Sequence, residues 1–331
     1  MRHPVVVAPM AGGPSTPALV VAAAEAGATG FLAGGYKGAD AVLAEMAAVR
    51  AATDRPFGVN LFVPGAPSTD RDAVVAYAET LEAEAAAAGC ALGEPRWDDD
   101  GWDGKVAALL ADPPPAVSFT FGCPDAELVA AFHAAGSVVG VTVTTPDEAR
   151  AAADAAADVL CVQGLEAGGH RGTFLNVDRP GQDFGLLPLV AAVARVTDLP
   201  QIAAGGIARR EDVRAVLAAG AVAAQCGTAF LRCAESGASP AHKAALVDLR
   251  HRATTITRAF SGRRARGIDN RFVRDHPEAP PAYPEVNNLA RPLRAAAAAA
   301  GDVERMSLWA GQGFPGATDR AAGEIVEMLR P

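Results

Sequence analysis

Val138-Val139-Gly140-Val141-Thr142-Val143-Thr144-Thr145-Pro146-Asp147-Glu148-Ala149-Arg150-Ala151-Ala152-Ala153-Asp154-Ala155-Ala156-Ala157-Asp158-Val159-Leu160-Cys161-Val162-Gln163 holds one complete strand–helix–strand unit. Val138–Val143 is a β-branched run, residues 146–156 are alanine-rich with proline only at the first position, and residues 158–163 form a second apolar run. β-branched side chains suit strands, alanine suits helix, and proline is tolerated where a helix begins. The same alternation extends in both directions. Further strands are expected at residues 5–8, 28–33, 58–63, 116–121, 201–204 and 222–226, with helices at residues 16–26, 39–52, 125–135 and 210–219. Eight strands, most followed by a helix, add up to an α/β fold, a (β/α)8 TIM barrel. A doubly wound open sheet is the competitor. Its dinucleotide fingerprint is not matched by Ala8-Pro9-Met10-Ala11-Gly12-Gly13-Pro14, whose prolines and glycine spacing differ.

The pattern changes after Phe230. Residues 241–259 read as helix, Arg263-Arg264-Ala265-Arg266 as a basic cluster facing solvent or an acidic neighbour in the same cap segment, residues 276–284 as a proline-rich loop and residues 291–300 as another helix. A last helix over residues 318–329 returns to the barrel. The expected division is a barrel of residues 1–232 and 305–331 with a small helical cap, residues 233–304, that excludes water from one end.

Composition narrows the function classes. The 331 residues are 50% apolar and 20% charged, which fits a folded globular chain. A formal charge of −9 speaks against nucleic acid as a partner, because neutralising phosphates needs a basic surface. No apolar run is long enough for a membrane span and no secretory signal is expected, since the N-terminal residues lead directly into a strand. The five cysteines lie mostly in apolar contexts without zinc-like spacing, as in a cytoplasmic protein with reduced thiols and no metal site.

In a barrel of this kind ligands sit at the C-terminal ends of the strands, and the chemistry-bearing residues cluster there. Gln163-Gly164-Leu165-Glu166-Ala167-Gly168-Gly169-His170-Arg171-Gly172 follows the sixth strand. Its glycines open the backbone to a ligand, and its histidine is a candidate proton-transfer group. Asn60 lies inside the apolar third strand, where its amide must bond to protein or ligand. Ala203-Ala204-Gly205-Gly206-Ile207 and Gln225-Cys226-Gly227-Thr228 end the last two strands and open helices, the arrangement with which many barrels hold a phosphate. Within the decapeptide, Glu166 reads as a backbone cap, with control of the His170 tautomer or charge as the alternative, and Arg171 as a solvated side chain; His3, His133, His242, His251 and His276 receive no role.

These motifs, together with Ser118-Phe119-Thr120-Phe121-Gly122 and Leu308-Trp309-Ala310-Gly311-Gln312-Gly313, resemble the nitronate monooxygenase family of flavoproteins in order and spacing over essentially the whole chain. The resemblance implies FMN across the strand ends. It places Asn60, Gln163 and Gly168 against the isoalloxazine or ribityl part, and Gly205, Gly206, Gln225, Cys226, Gly227 and Thr228 at the phosphate. Pro9, Met10 and Ala11 line the ring, Gln312 approaches the site, and His170 matches the catalytic histidine. The implied reaction converts small alkyl nitronates, or nitroalkanes, and O2 to a carbonyl compound and nitrite, with a homodimer left open as the assembly. An FMN-dependent enoyl-acyl-carrier-protein reductase using NAD(P)H is the alternative, since it shares a Gly-Gly-His loop. A flavin binder without turnover and a phosphosugar-binding barrel stand behind it. Some relatives carry a lysine in the fifth strand where this chain has Val141-Thr142-Val143-Thr144, and tyrosines where this cap has only Tyr283.

Overall fold

A computed structural model describes residues 2–178, 181–248, 250 and 253–331. Eight strands close into a parallel barrel: β1 (Val5–Val7), β2 (Thr29–Ala33), β3 (Gly58–Phe62), β4 (Ala116–Thr120), β5 (Val138–Val143), β6 (Val159–Gln163), β8 (Gln201–Ala204) and β9 (Ala223–Cys226). β9 pairs with β1 to complete the ring, with Val6 opposite Gln225 and Val7 opposite Cys226. These are the eight strands expected from the sequence, each within two residues of its expected ends, and the fold is a (β/α)8 barrel. The local reasons are those the sequence displays. Thr16, Asp125 and Thr145 accept hydrogen bonds from Leu19, Leu128 and Glu148, capping helices Pro17–Glu25, Ala126–Ala134 and Pro146–Asp154. Helices Arg71–Ala87 and Trp102–Ala111 separate β3 from β4. The valines of β1, β5 and β6 that face the helices are buried with Leu189, Val190 and Val213 in one apolar cluster.

Two expectations need correction beyond Phe230. In place of a helix over residues 241–259 there is a short helix, Pro240–Ala245, and a strand, β10 (Thr254–Thr257). His251 lies outside the described residues. β10 pairs antiparallel with β11 (Ala265–Ile268), and β11 pairs antiparallel with β7 (Gly169–His170), which belongs to the glycine-rich loop. Residues 233–304 are therefore not wholly helical, and their sheet is completed by the loop that carries the candidate histidine. The second helix is longer than expected, Glu285–Ala300, and continues through Pro292.

This segment is anchored to the barrel's outer layer. Val74, Tyr77 and Leu81 pack with Phe260, Phe272, Leu289 and Leu293. The Tyr77 hydroxyl donates to the Ala259 carbonyl at 2.6 Å, and Glu84 accepts from both Arg271 and Arg305. Among the described residues no helix is long and apolar enough to cross a membrane.

Candidate active site

A cavity of about 500 Å³ opens over the C-terminal ends of the barrel strands. It is the size of a pocket for one drug-sized ligand. Pro9, Met10, Ala11, Asn60, Gln163, Gly168, His170, Gly205, Gly206, Gln225, Gly227 and Thr228 all line it. Cys226 and Gln312 do not. Side chains alternate along a strand, so with Gln225 turned to the cavity Cys226 points outward, where it is 1% exposed among the helix-facing residues. Burial pushes its thiol up to about 12, which keeps it protonated and unreactive. The Gln312 side chain is exposed, and its backbone N–H donates to the Glu166 carbonyl at 3.0 Å. Its neighbours Gly311 and Gly313 reach the cavity instead.

One wall is bare backbone. Gly205 and Gly206 hold φ of 134° and 71°, a region that favours glycine. Among the described residues the N–H groups of Gly205, Gly206 and Gly227 have no protein acceptor. A cradle of unpaired N–H groups beside a helix N-terminus fits a phosphate. The Thr228 hydroxyl accepts from Gly311 N–H at 3.0 Å and fixes the returning C-terminal loop, which leaves its own O–H available as a donor. A Cβ on Gly168 would lie 2.4 Å from Gly311 N, so the two loops meet backbone to backbone. Glu166 caps helix Leu186–Val193 by accepting from Leu186 N–H, as its sequence context suggests.

The floor is polar and mutually bonded. Asn60 is 3% exposed and its amide N–H₂ faces the Ser118 and Thr120 hydroxyls at 2.9 and 3.0 Å. Gln163 brackets the histidine loop: its amide donates to the His170 carbonyl at 3.0 Å while its oxygen accepts from Gly172 N–H at 2.8 Å. Arg171 is not solvated. It is 6% exposed and donates to the Gln163 carbonyl, so both side chains hold the loop's shape.

His170 projects from β7, whose pairing with Ala265 of β11 sets its position. Phe121, Tyr283 and Trp309 surround the imidazole at ring-centroid distances of 5.4 to 5.8 Å. Its Nε2 lies 2.8 Å from the Ser261 hydroxyl, which also lies 3.2 Å from the Arg263 carbonyl. A hydroxyl has one proton and a carbonyl can only accept. Both bonds exist together only if Nε2–H donates to Ser261, which leaves the lone pair on Nδ1. Burial, then Arg263 and Arg294, lowers the His170 pKa to about 3. The ring is neutral at ordinary pH.

The basic cluster divides. Arg264 meets an acidic neighbour, Asp183, at 2.6 Å, but one that belongs to the barrel part and not to the cap. Arg263 instead is 4% exposed, with its Cζ over the Phe121 ring at 4.0 Å from the centroid. Arg266 is also buried and donates to the Leu165 carbonyl. Arg294 reaches the cavity from helix Glu285–Ala300 with its Nε unpaired. Among the described residues neither Arg263 nor Arg294 forms an ion pair, so two uncompensated cations flank the histidine. His242 also lines the cavity, but its Nε2 is taken by the Trp309 carbonyl at 3.1 Å.

Sequence reasoning missed Ser261, Tyr36, Asn287 and Arg294. Tyr36 carried a signal, since it stands behind Gly34-Gly35 at the C-terminal end of β2. Ser261 and Arg294 carried none, because their neighbours to the site are distant in sequence.

Comparison with known proteins agrees with this geometry. A family model described as nitronate monooxygenase matches residues 1–331. The chain is 40% identical to a nitronate monooxygenase of Pseudomonas aeruginosa, covering 99% of this chain and 95% of that protein. A solved nitroalkane oxidase from Streptomyces ansochromogenes superposes with a TM-score of 0.96 at 52% identity, over 99% of this chain and 94% of the other. FabK from Thermotoga maritima superposes with a TM-score of 0.75 at 27% identity, over 99% and 92%.

Proposed function

The chain belongs to the nitronate monooxygenase family of oxidoreductases, and from that premise we propose that it is FMN-dependent and oxidises alkyl nitronates with O2 to a carbonyl compound and nitrite. The observation that carries this reading is a neutral histidine beside two guanidinium groups that have no carboxylate partner among the described residues, in the same cavity as an N–H cradle. In this reading Gly205, Gly206 and Gly227 hold the phosphate of FMN, and Pro9, Met10, Ala11, Asn60 and Gly168 line the rest of the cofactor. Gln163 acts through the loop it brackets, and residues 233–304 serve as the cap that keeps water out. Bound flavin would supply the electron acceptor and the reaction with O2.

The protein's own part is electrostatic and positional. The cations Arg263 and Arg294 favour an anion in the cavity, and a nitronate is an anion. The aromatic walls remove water and strengthen that attraction. His170 offers the Nδ1 lone pair while Ser261 holds the ring through Nε2–H. An imidazole with a pKa of about 3 is a weak base for removing the α-proton of a neutral nitroalkane. The preformed nitronate is therefore the better substrate, and the nitroalkane the poorer one.

The competing reading, an enoyl-acyl-carrier-protein reductase, requires NAD(P)H to reduce the flavin. Purified protein mixed anaerobically with a nitronate, and separately with NADH, divides the two. Bleaching of the flavin absorbance by the nitronate and none by NADH is expected. Rapid bleaching by NADH alone would overturn the proposal.

A further inference from the structure

A second chamber of about 560 Å³ lies beside the cavity that holds His170. Tyr36, Phe62, Phe121, Asn287 and Arg291 line both, so the two spaces share one mostly aromatic wall, and Tyr283 faces it from the outer side. The Tyr283 and Tyr36 hydroxyls meet across it at 3.1 Å. Tyr36 and Phe121 both hold left-handed backbone, φ 66° and 77°, which bulky residues adopt only when their surroundings impose it. One such constraint on Tyr36 is visible: its N–H donates to Asp100 Oδ1 at 2.9 Å. The outer chamber is lined by Pro64, Ala66, Pro280 and Phe174, and it reaches solvent past Leu175 and Val177, which are 55% and 52% exposed.

Charge divides the two chambers. The outer one carries Asp70, Asp98, Asp99 and Asp100 against Lys37, Arg263 and Arg291, whereas the inner one carries Arg291 and Arg294 and no carboxylate. An anionic group is drawn inward and disfavoured outside. A cofactor on the glycine turns would leave little of the inner space for a chain.

We propose that the outer chamber is a subsite for the apolar tail of the substrate, with the Tyr36–Tyr283 pair as the gate between head and tail. The enzyme then prefers elongated alkyl nitronates, taken with the anionic head at His170 and the chain directed outward. This rests on the nitronate reading above and adds the substrate's length to it. Each methylene that enters the chamber raises kcat/KM about fourfold, the equivalent of roughly 0.8 kcal/mol of apolar burial.

The test compares the nitronates of nitroethane and nitrooctane on the flavin-loaded protein, together with calorimetric titration by the unreactive alcohols ethanol to octanol. Ala66→Trp fills the outer chamber from a residue that does not line the inner one, and Leu175→Trp is a second filler at an exposed position. Wild type should favour the longer nitronate and bind longer alcohols more tightly. Either filler should lower kcat/KM for the nitrooctane nitronate at least tenfold, leave the nitroethane nitronate within about twofold, and flatten the alcohol series. Flat dependence on chain length in wild type, or a filler that affects both lengths equally, overturns the subsite. Tightening along the alcohol series without consumption of either nitronate would uphold the subsite while refuting the catalytic reading.

Discussion

Replacing Ser261 with alanine would remove the hydroxyl that accepts from His170 Nε2–H at 2.8 Å. Ser261 has no exposed surface, so water cannot take the vacated position. A buried N–H left without a partner costs about 1–3 kcal/mol. The ring can escape that cost only by moving its proton to Nδ1, which removes the lone pair the substrate is meant to meet. The productive tautomer is disfavoured by that cost, so kcat/KM for a neutral nitroalkane, whose α-proton needs the lone pair, should fall roughly 5- to 160-fold. Oxygen uptake reads the rate, and the ratio of flavin to protein absorbance reads cofactor content. Because Ser261 does not line the cavity, flavin content should stay at the wild-type level. Ser261→Cys retains a weak acceptor and should fall between the two. A wild-type kcat/KM in Ser261→Ala would refute the assignment of the tautomer, and a rate loss matched by flavin loss would refute its cause.

Three further outcomes follow from the charges and the cradle. Because His170 and His242 stay neutral in the fold down to about 3 and 4, kcat/KM for a nitronate should show no inflection at the ordinary histidine pKa of about 6.5. Arg263→Met removes a neighbouring cation and should move the His170 inflection upward; an unmoved inflection would contradict the electrostatic account. The unfolded chain protonates these histidines first, so their contribution lowers stability as pH falls below about 6.5 and vanishes above it. Glu84, held at a pKa of about 2 mainly by its hydrogen bond with Arg271, stabilises the fold above the ordinary carboxyl pKa, and this is lost as pH falls through 2. Glu84→Gln should therefore cost about 1–2 kcal/mol near neutrality, after allowance for solvent screening, with a gap that closes in acid. Thermal melts across that range check it, and a pH-independent gap would contradict it. Gly205→Ala places a Cβ 3.1 Å from Ala167 N at a φ of 134°, a strain of about 1–3 kcal/mol. Flavin should dissociate roughly tenfold more readily on dialysis from a folded protein, and undiminished retention would argue against the cradle.

The barrel was legible because its signals are local. A β-branched run such as Val138–Val143, followed by Thr145 and Pro146 as a helix start, needs no tertiary information. The glycine turns were legible for the same reason, since their position after a strand places them at the rim. The remainder depends on contacts distant in sequence. Thr254–Thr257 and Ala265–Ile268 are short, and their strand character comes from pairing with each other and with Gly169–His170. Arg263 sits in a run that reads as solvated, yet its guanidinium lies over the ring of Phe121, far away in the chain. Arg294 is hidden in an alanine-rich helix whose inward face only the packed structure defines. Cys226 was misplaced by one residue of a two-residue alternation, which decides between cavity and core.

The central claim is that this chain consumes nitronates in a cavity furnished for FMN, with His170 as the base toward the neutral nitroalkane. Wild type and His170→Asn, both loaded with FMN, can be compared on an oxygen electrode with nitrite assayed in the same sample. The account predicts O2 uptake with nitrite release from the nitronate in wild type, and, with the neutral nitroalkane as substrate, a loss of at least a hundredfold in kcat/KM for the variant at equal flavin content, the magnitude expected when a positioned acid/base group is removed. Equal rates in the two proteins on the nitroalkane, or no nitrite from wild type, would contradict it.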